Sequence, residues 1–172
     1  MIFLSGNCST NRNLKESKNG MNPNYIFNIR VTGILIENNN ILIVQQNLSE
    51  SRAWSLPEGR LERGESLEQG LKRELKEETG LDVQVERLLY LCDVNASENT
   101  ILHITFLLKR IGGEITLPTN EYDANPIHDV RFVPIDELSN YGFSEVFMQV
   151  IKNGFQKSGN YVGDKKNIGL GI

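Results

Sequence analysis

Glu74, Glu77 and Glu78 fall within five consecutive residues of LEQGLKRELKEET, the segment from Leu67 to Thr79. Its leucines recur at helical spacing. With Leu67 at zero on a helical wheel, Leu71 and Leu75 lie at roughly 40° and 80° and form an apolar stripe. Glu74 and Glu78 lie at about −20° and 20°, beside Leu67, and Glu77 at about −80°. Three carboxylates therefore crowd an arc of about 100° that overlaps the side meant for the core. Like charges at these spacings repel even in water. Partial burial raises the cost, because desolvation disfavours each ionised form. A divalent cation removes the conflict: Mg²⁺ and Mn²⁺ are hard ions that prefer carboxylate oxygens and accept several negative ligands. Taken without its neighbours, the same segment reads first as a Glu/Lys-rich helix facing solvent.

The neighbours favour the cation reading. Gly59, Glu65 six residues on, Arg73 eight further and Gly80 form a frame around the trio. Glu65 and Arg73 are an acid and a base placed to pin the preceding loop to the helix. Gly80 suits a left-handed helix cap. These residues fit G-x5-E-x7-R-E-U-x-E-E-x-G-U, with U aliphatic, at every defined position from Gly59 to Leu81. The chain thereby resembles the MutT-type Nudix hydrolases. The box spans 23 residues, but the likeness in layout runs from about Tyr25 to Phe155, with AWSLPEG leading in and DVRFVPIDEL near the end. One departure lies beside the box: Pro57-Glu58-Gly59 stands where many members carry Pro-Gly-Gly or Pro-Ala-Gly.

The resemblance implies hydrolysis of a nucleoside diphosphate linked to another moiety, water attacking phosphorus with the help of Mg²⁺ or Mn²⁺. It implies Glu74, Glu77 and Glu78 as metal-binding carboxylates, with the backbone carbonyl of Glu58 as a further ligand. Glu74 would also orient or activate the water, while Arg73 and Glu65 brace the loop. Some members draw a base from a loop before the last strand, and here TNEYDANPIHD offers Glu121, Asp123 and Asp129, of which Glu121 is the candidate. His128 reads as structural or exposed. Arg52 and Trp54 are candidate substrate contacts, although tryptophan before Leu-Pro also packs loops onto cores. Gly33 marks either a ligand's approach to the backbone or a bulge. Most of the substrate signals that the family carries outside the box are missing, which leaves nucleoside triphosphates, ADP-ribose and other nucleotide sugars open. A nucleotide sensor without turnover and an RNA 5′-end pyrophosphohydrolase are the alternatives.

These residues must be positioned by a core. YIFNIRVTGILIEN and NILIVQQN, separated by a polar turn, read as a hairpin. SESRAWSLPEGRLERGE reads as a loop, and DVQVERLLYLCDV and TILHITFLLKR as two further strands. A short strand is expected within IGGEITLPTNEYDANPIH, and DVRFVPI as the last strand. A closing helix from Ser144 to Phe155 would bury Val146, Phe147, Val150 and Ile151, and the glycine-rich tail beyond reads as irregular. Strands mixed with two helices predict α/β layers around a mixed sheet, which the resemblance narrows to an α/β/α sandwich. Residues 1–22, polar and poor in core formers, read as a flexible leader to one domain spanning 23–172.

Of the 172 residues, 39% are hydrophobic and 23% charged, ordinary for a globular domain. A net charge of −4 supplies no long-range attraction to nucleic acid or an anionic membrane, so an anionic substrate needs local cations. Cys8 and Cys92 make neither a disulfide framework nor a zinc spacing, and no signal peptide or membrane span is recognisable. A cytoplasmic enzyme acting on a small nucleotide is the expectation, with homodimerisation left open.

Overall fold

The computed structural model describes residues 28–49, 52–95, 100–119 and 126–170. The hairpin is present as β1 (Asn28–Glu37) and β2 (Asn40–Ser49). Its two-residue turn places Asn38 and Asn39 at φ 49° and 63°. Asparagine tolerates that conformation, and the twist of such turns matches that of the strands they join. The two strands then diverge: β1 pairs with β2 only at Ile36–Ile41 and Glu37–Asn40. The loop expected after them contains two short strands, β3 (Arg52–Ser55) and β4 (Glu58–Arg60). β4 takes the edge of β1 that β2 leaves, pairing Arg30 with Arg60, Val31 with Gly59 and Thr32 with Glu58. β3 pairs with β2 instead.

Helix α1 (Leu67–Thr79) occupies the predicted span. Ser66 and Gln69 close a capping box at its start, and Gly80 ends it at φ 76° with its N–H on the Lys76 carbonyl. Leu71 and Leu75 are fully buried, each worth about 2–3 kcal/mol. β5 (Leu81–Asn95) and β6 (Thr100–Gly113) form a long antiparallel pair, and β6 runs parallel to β1 over Asn28–Leu35. Ile111 to Gly113 belong to β6, and among the described residues of the segment that follows, 114–119 and 126–128, the separate short strand expected there does not occur.

β7 (Asp129–Pro134) pairs with β2 and leads into a 3-10 turn, Ile135–Tyr141. Helix α2 (Glu145–Lys152) buries Phe147, Met148 and Ile151, whereas Val146 is half exposed. The tail expected to be irregular carries β8 (Asn160–Asp164), parallel to β5, and a 3-10 turn at Lys165–Ile168. β7 is therefore not the last strand.

The strand order is β3-β2-β1-β6-β5-β8, with β4 on β1 and β7 on β2. α1 covers one face of this mixed sheet through Val31, Leu35, Leu71, Leu75, Leu81 and Leu108. α2 and the C-terminal residues Ile168 and Leu170 cover the other, against Ile34, Ile43 and Tyr90. The architecture is an α/β/α sandwich. Gly33 neither admits a ligand nor forms a bulge: a Cβ there would lie 2.6 Å from Leu108 and 2.9 Å from Leu75, so its lack of a side chain lets α1 seat closely. Among the described residues no helix is long and apolar enough to cross a membrane.

Candidate active site

Arg73 is the hub of the loop–helix junction. Its Nε donates to Glu65 Oε1 at 2.7 Å and its Nη2 to Glu65 Oε2 at 3.0 Å, the two-pronged geometry that suits a guanidinium. Nη2 also reaches the Arg60 carbonyl at 3.1 Å, and Nη1 donates to Glu74 Oε1 and Glu77 Oε2, each at 3.0 Å. Glu65 additionally accepts the Glu62 N–H at 2.9 Å. The Arg73 contact, then that backbone bond, hold its carboxyl down at about 2. Hydrogen bonding to Glu65, against partial burial, in turn raises Arg73 above its ordinary range. The expected brace is thus present, and it extends to two of the carboxylates.

Arg73→Ala would leave Glu65, Glu74 and Glu77 without their shared cation. It should cost on the order of 2 kcal/mol, seen as a melting temperature lower by about 5 °C. Activity should fall roughly tenfold or more. Arg73→Lys should recover little of either, since a point charge cannot span both oxygens of Glu65 and the Arg60 carbonyl.

Glu74 and Glu78 lie at the edge of α1 that meets β4. Glu78 Oε2 accepts the Glu58 N–H at 3.0 Å, and Oε1 accepts from Gln46 Nε2 at 3.2 Å. Burial pushes the Glu78 carboxyl up to about 8, with the charges of Glu74 and Glu58 adding to the effect. Glu74 is raised as well, chiefly by burial, although Arg73 opposes it. Gly59 makes the approach possible: a Cβ there would lie 1.8 Å from the Glu74 carboxyl carbon.

Glu77 departs from the expected cluster. It is 59% exposed and turned to Arg73, because the guanidinium competes for its charge. Among the described residues no three acidic, histidine or cysteine side chains converge into a ready metal cage. The site is a largely buried pair, Glu74 and Glu78, with Glu77 on its rim. Its donors are oxygens only, its carboxyls are raised chiefly by burial, and a glycine lies against one of them. That chemistry fits a hard divalent cation.

Glu58 is split between two environments. Its main chain faces this pair, while its carbonyl is 3.5 Å from Arg30 Nη2. Its side chain does not project toward the pair: it bonds Thr32 Oγ1 and Lys165 Nζ, each at 3.1 Å. Burial opposes ionisation there, but Lys165, His103 and Arg30 outweigh it and hold the carboxyl well below the usual range. Trp54 meets Tyr141 edge-on at 5.2 Å, and the Arg131 guanidinium lies over its ring at 5.0 Å. It is a packing residue in this arrangement. The Arg52 side chain, Glu121 and Asp123 lie outside the described residues. Asp129 pairs with Arg131, and His128 is exposed.

Sequence reasoning does not single out Gln46, Arg30, His103 or Lys165. Gln46 ends the apolar run ILIVQQ, and a polar residue at that point of a core strand is an available signal. The others carry no local pattern that marks them.

A family model described as the NUDIX domain matches residues 27–151. An ADP-ribose pyrophosphatase of Methanocaldococcus jannaschii is 34% identical over 107 residues, covering 60% of this chain and 61% of that protein. An 8-oxo-dGDP phosphatase of Homo sapiens is 36% identical over 94 residues, covering 54% of this chain and 28% of that protein. The chain thus spans less than two thirds of either relative. The crystal structure of an ADP-ribose pyrophosphatase from Streptococcus suis superposes with a TM-score of 0.57 at 21% identity, covering 81% of this chain and 98% of that one. At that identity the likeness is one of fold. With the box residues assembled around Arg73 and the domain matched over most of the chain, the protein belongs to the Nudix family of hydrolases.

Proposed function

We propose that this chain hydrolyses the pyrophosphate bond of a nucleoside diphosphate derivative in the presence of Mg²⁺ or Mn²⁺. The observation that carries the reading is the pair Glu74 and Glu78, raised in pKa and gathered against the fixed Glu58–Gly59 peptide. Glu74, Glu77 and Glu78 would hold the cation, with the Glu58 carbonyl as a further oxygen donor. When bound, the cation neutralises the pyrophosphate and polarises its P–O bonds. Arg73 holds Glu74 in place by one oxygen. Glu74, fixed by Arg73 beside the Glu58–Gly59 peptide, is the group proposed to take the proton of the attacking water. Glu121 remains a proposed second base or ligand.

The names of the relatives favour ADP-ribose and oxidised guanine nucleotides as first substrates, and both contain a nucleoside diphosphate. A panel of ADP-ribose, 8-oxo-dGDP, 8-oxo-dGTP, a UDP-sugar and triphosphorylated RNA, each with Mg²⁺ and with Mn²⁺, tests the proposal. Phosphate or nucleoside monophosphate should be released from at least one small nucleotide, and EDTA should abolish release. Binding without turnover would favour a sensor, and turnover confined to RNA would favour 5′-end hydrolysis.

A further inference from the structure

The Glu58 side chain is anchored from a distance of 107 residues. In the paired strands β1, β4 and β6, Thr32 opposes Glu58 and Thr105, and Arg30 opposes His103. Opposed residues share a face, so the Glu58 carboxylate lies on the side of the sheet away from α1. Lys165, just beyond β8, covers it there: Nζ is 3.1 Å from Glu58 Oε2 and 3.2 Å from His103 Nδ1. Both side chains of the ion pair are largely buried, at 16% and 19% exposure. Arg30 Nε is 3.4 Å from the other oxygen.

The segment that brings Lys165 is firmly docked. Ile168 and Leu170 are in the core, and the Gly169 carbonyl accepts the Ser144 hydroxyl at 2.7 Å. It lies beyond the residues that the family model matches. The other end of Glu58 is equally constrained. Its N–H is on Glu78, the Pro57 carbonyl preceding it accepts the Gly33 N–H at 3.0 Å, and Gly59 following it lies against Glu74. β4 is only three residues long. Three ladder pairs alone hold such a strand weakly, so the side-chain anchor sets where its peptide sits.

We propose that Lys165 is a positioning residue for the hydrolytic site: by clamping the Glu58 side chain on one face of the sheet, it fixes the Glu58 peptide against Glu78 on the other. This rests on the reading of Glu74 and Glu78 as cation-binding groups. Lys165 touches neither substrate nor cation; it acts through Glu58. Losing its charge would leave a largely buried carboxylate short of a partner, and that carboxylate would draw on Arg30 and shift the short strand.

The test uses Mn²⁺ binding to the nucleotide-free protein, together with kcat, KM and melting temperature. Lys165→Met should weaken Mn²⁺ binding by about tenfold or more, the usual scale for groups that orient ligands from behind. It should lower kcat more than it changes KM, and Lys165→Arg should restore both to within about threefold. Added to Glu58→Gln, Lys165→Met should cost nothing further, because the clamp is already released. A Lys165→Met protein that melts earlier but binds Mn²⁺ and turns over as the wild type does would overturn the proposal. So would losses that simply add. Should Lys165→Met alone not fold, the double variant compared with Glu58→Gln alone still separates a released clamp from independent losses. A wild-type protein that neither binds Mn²⁺ nor hydrolyses any nucleotide would overturn the functional reading itself, an outcome distinct from an unaffected Lys165→Met.

Discussion

Glu78→Gln should lower turnover by roughly a thousandfold, about 4 kcal/mol of lost cation-assisted stabilisation, without unfolding the protein. Glutamine keeps the shape and one oxygen, so the Glu58 N–H retains its acceptor. What disappears is the charge, and in the metal-free protein that charge is a burden. The Glu78 carboxyl titrates near 8 in the folded state, against 4.5 for its ordinary value, first because of burial and then because of Glu74 and Glu58. The folded state therefore holds this proton between pH 4.5 and 8, where the unfolded chain has released it. Stability falls as pH rises through that window, by on the order of 5 kcal/mol for such a shift. Glu74, also raised, acts in the same direction. Glu58 and Glu65 are lowered, so their contribution is present above the ordinary carboxylate pKa and is lost only in more acidic solution. Metal-free wild-type protein should melt at a lower temperature at about pH 8.5 than at about pH 5.5, on either side of most of that window. Glu78→Gln should flatten much of that slope. An equal slope in both proteins would show that Glu78 is not the strained group.

The second large effect separates function from stability at a glycine. In Gly59→Ala the new methyl would lie 1.8–2.2 Å from the Glu74 carboxyl atoms, so one of the two must move. The yielding partner is the end of a flexible side chain, so the fold should survive with a melting temperature lower by only a few degrees. Activity should nonetheless fall about a hundredfold or more, because the displaced group is the one proposed to take the proton from water. Gly80→Ala should behave in the opposite way. There φ is 76° and the methyl would lie 2.5 Å from the Glu114 carbonyl oxygen, which cannot swing aside. Stability should drop by about 1–3 kcal/mol, with the surviving folded enzyme close to normal. Melting curves and kcat measured on both variants check the contrast. Similar profiles would remove the distinction between cradle and cap.

What the sequence makes legible follows the range of the forces involved. α1 is legible from Leu67 to Gly80 because its periodicity, its capping residues and its left-handed stop all lie inside one short window. The β1–β2 hairpin and the long β5–β6 pair are legible for the same reason. β3 and β4, at four and three residues, are too short to show an alternation, and they exist only because other strands offer them edges. β8 is hidden in a glycine-rich tail whose order comes from pairing with β5 and from burial of Ile168 and Leu170. The expected face of α2 errs at Val146, since Met148 shifts the buried arc. At the site, the Glu65–Arg73 brace is visible as a spacing. The outward turn of Glu77 is not, since one guanidinium serves three carboxylates and a wheel assigns angles without partners. Nor can the spacing of residues place Lys165 against Glu58, a contact made only by the completed sheet.

Glu74 and Glu78, gathered at the Glu58–Gly59 peptide, are proposed to take up a divalent cation. Titrating Mn²⁺ into the wild-type protein and Glu78→Gln, with free Mn²⁺ followed by electron paramagnetic resonance, tests it most directly. Saturable uptake by the wild type that is lost or weakened at least about tenfold in Glu78→Gln is the predicted result. Equal uptake by the two proteins, or none by the wild type with or without nucleotide, would contradict it.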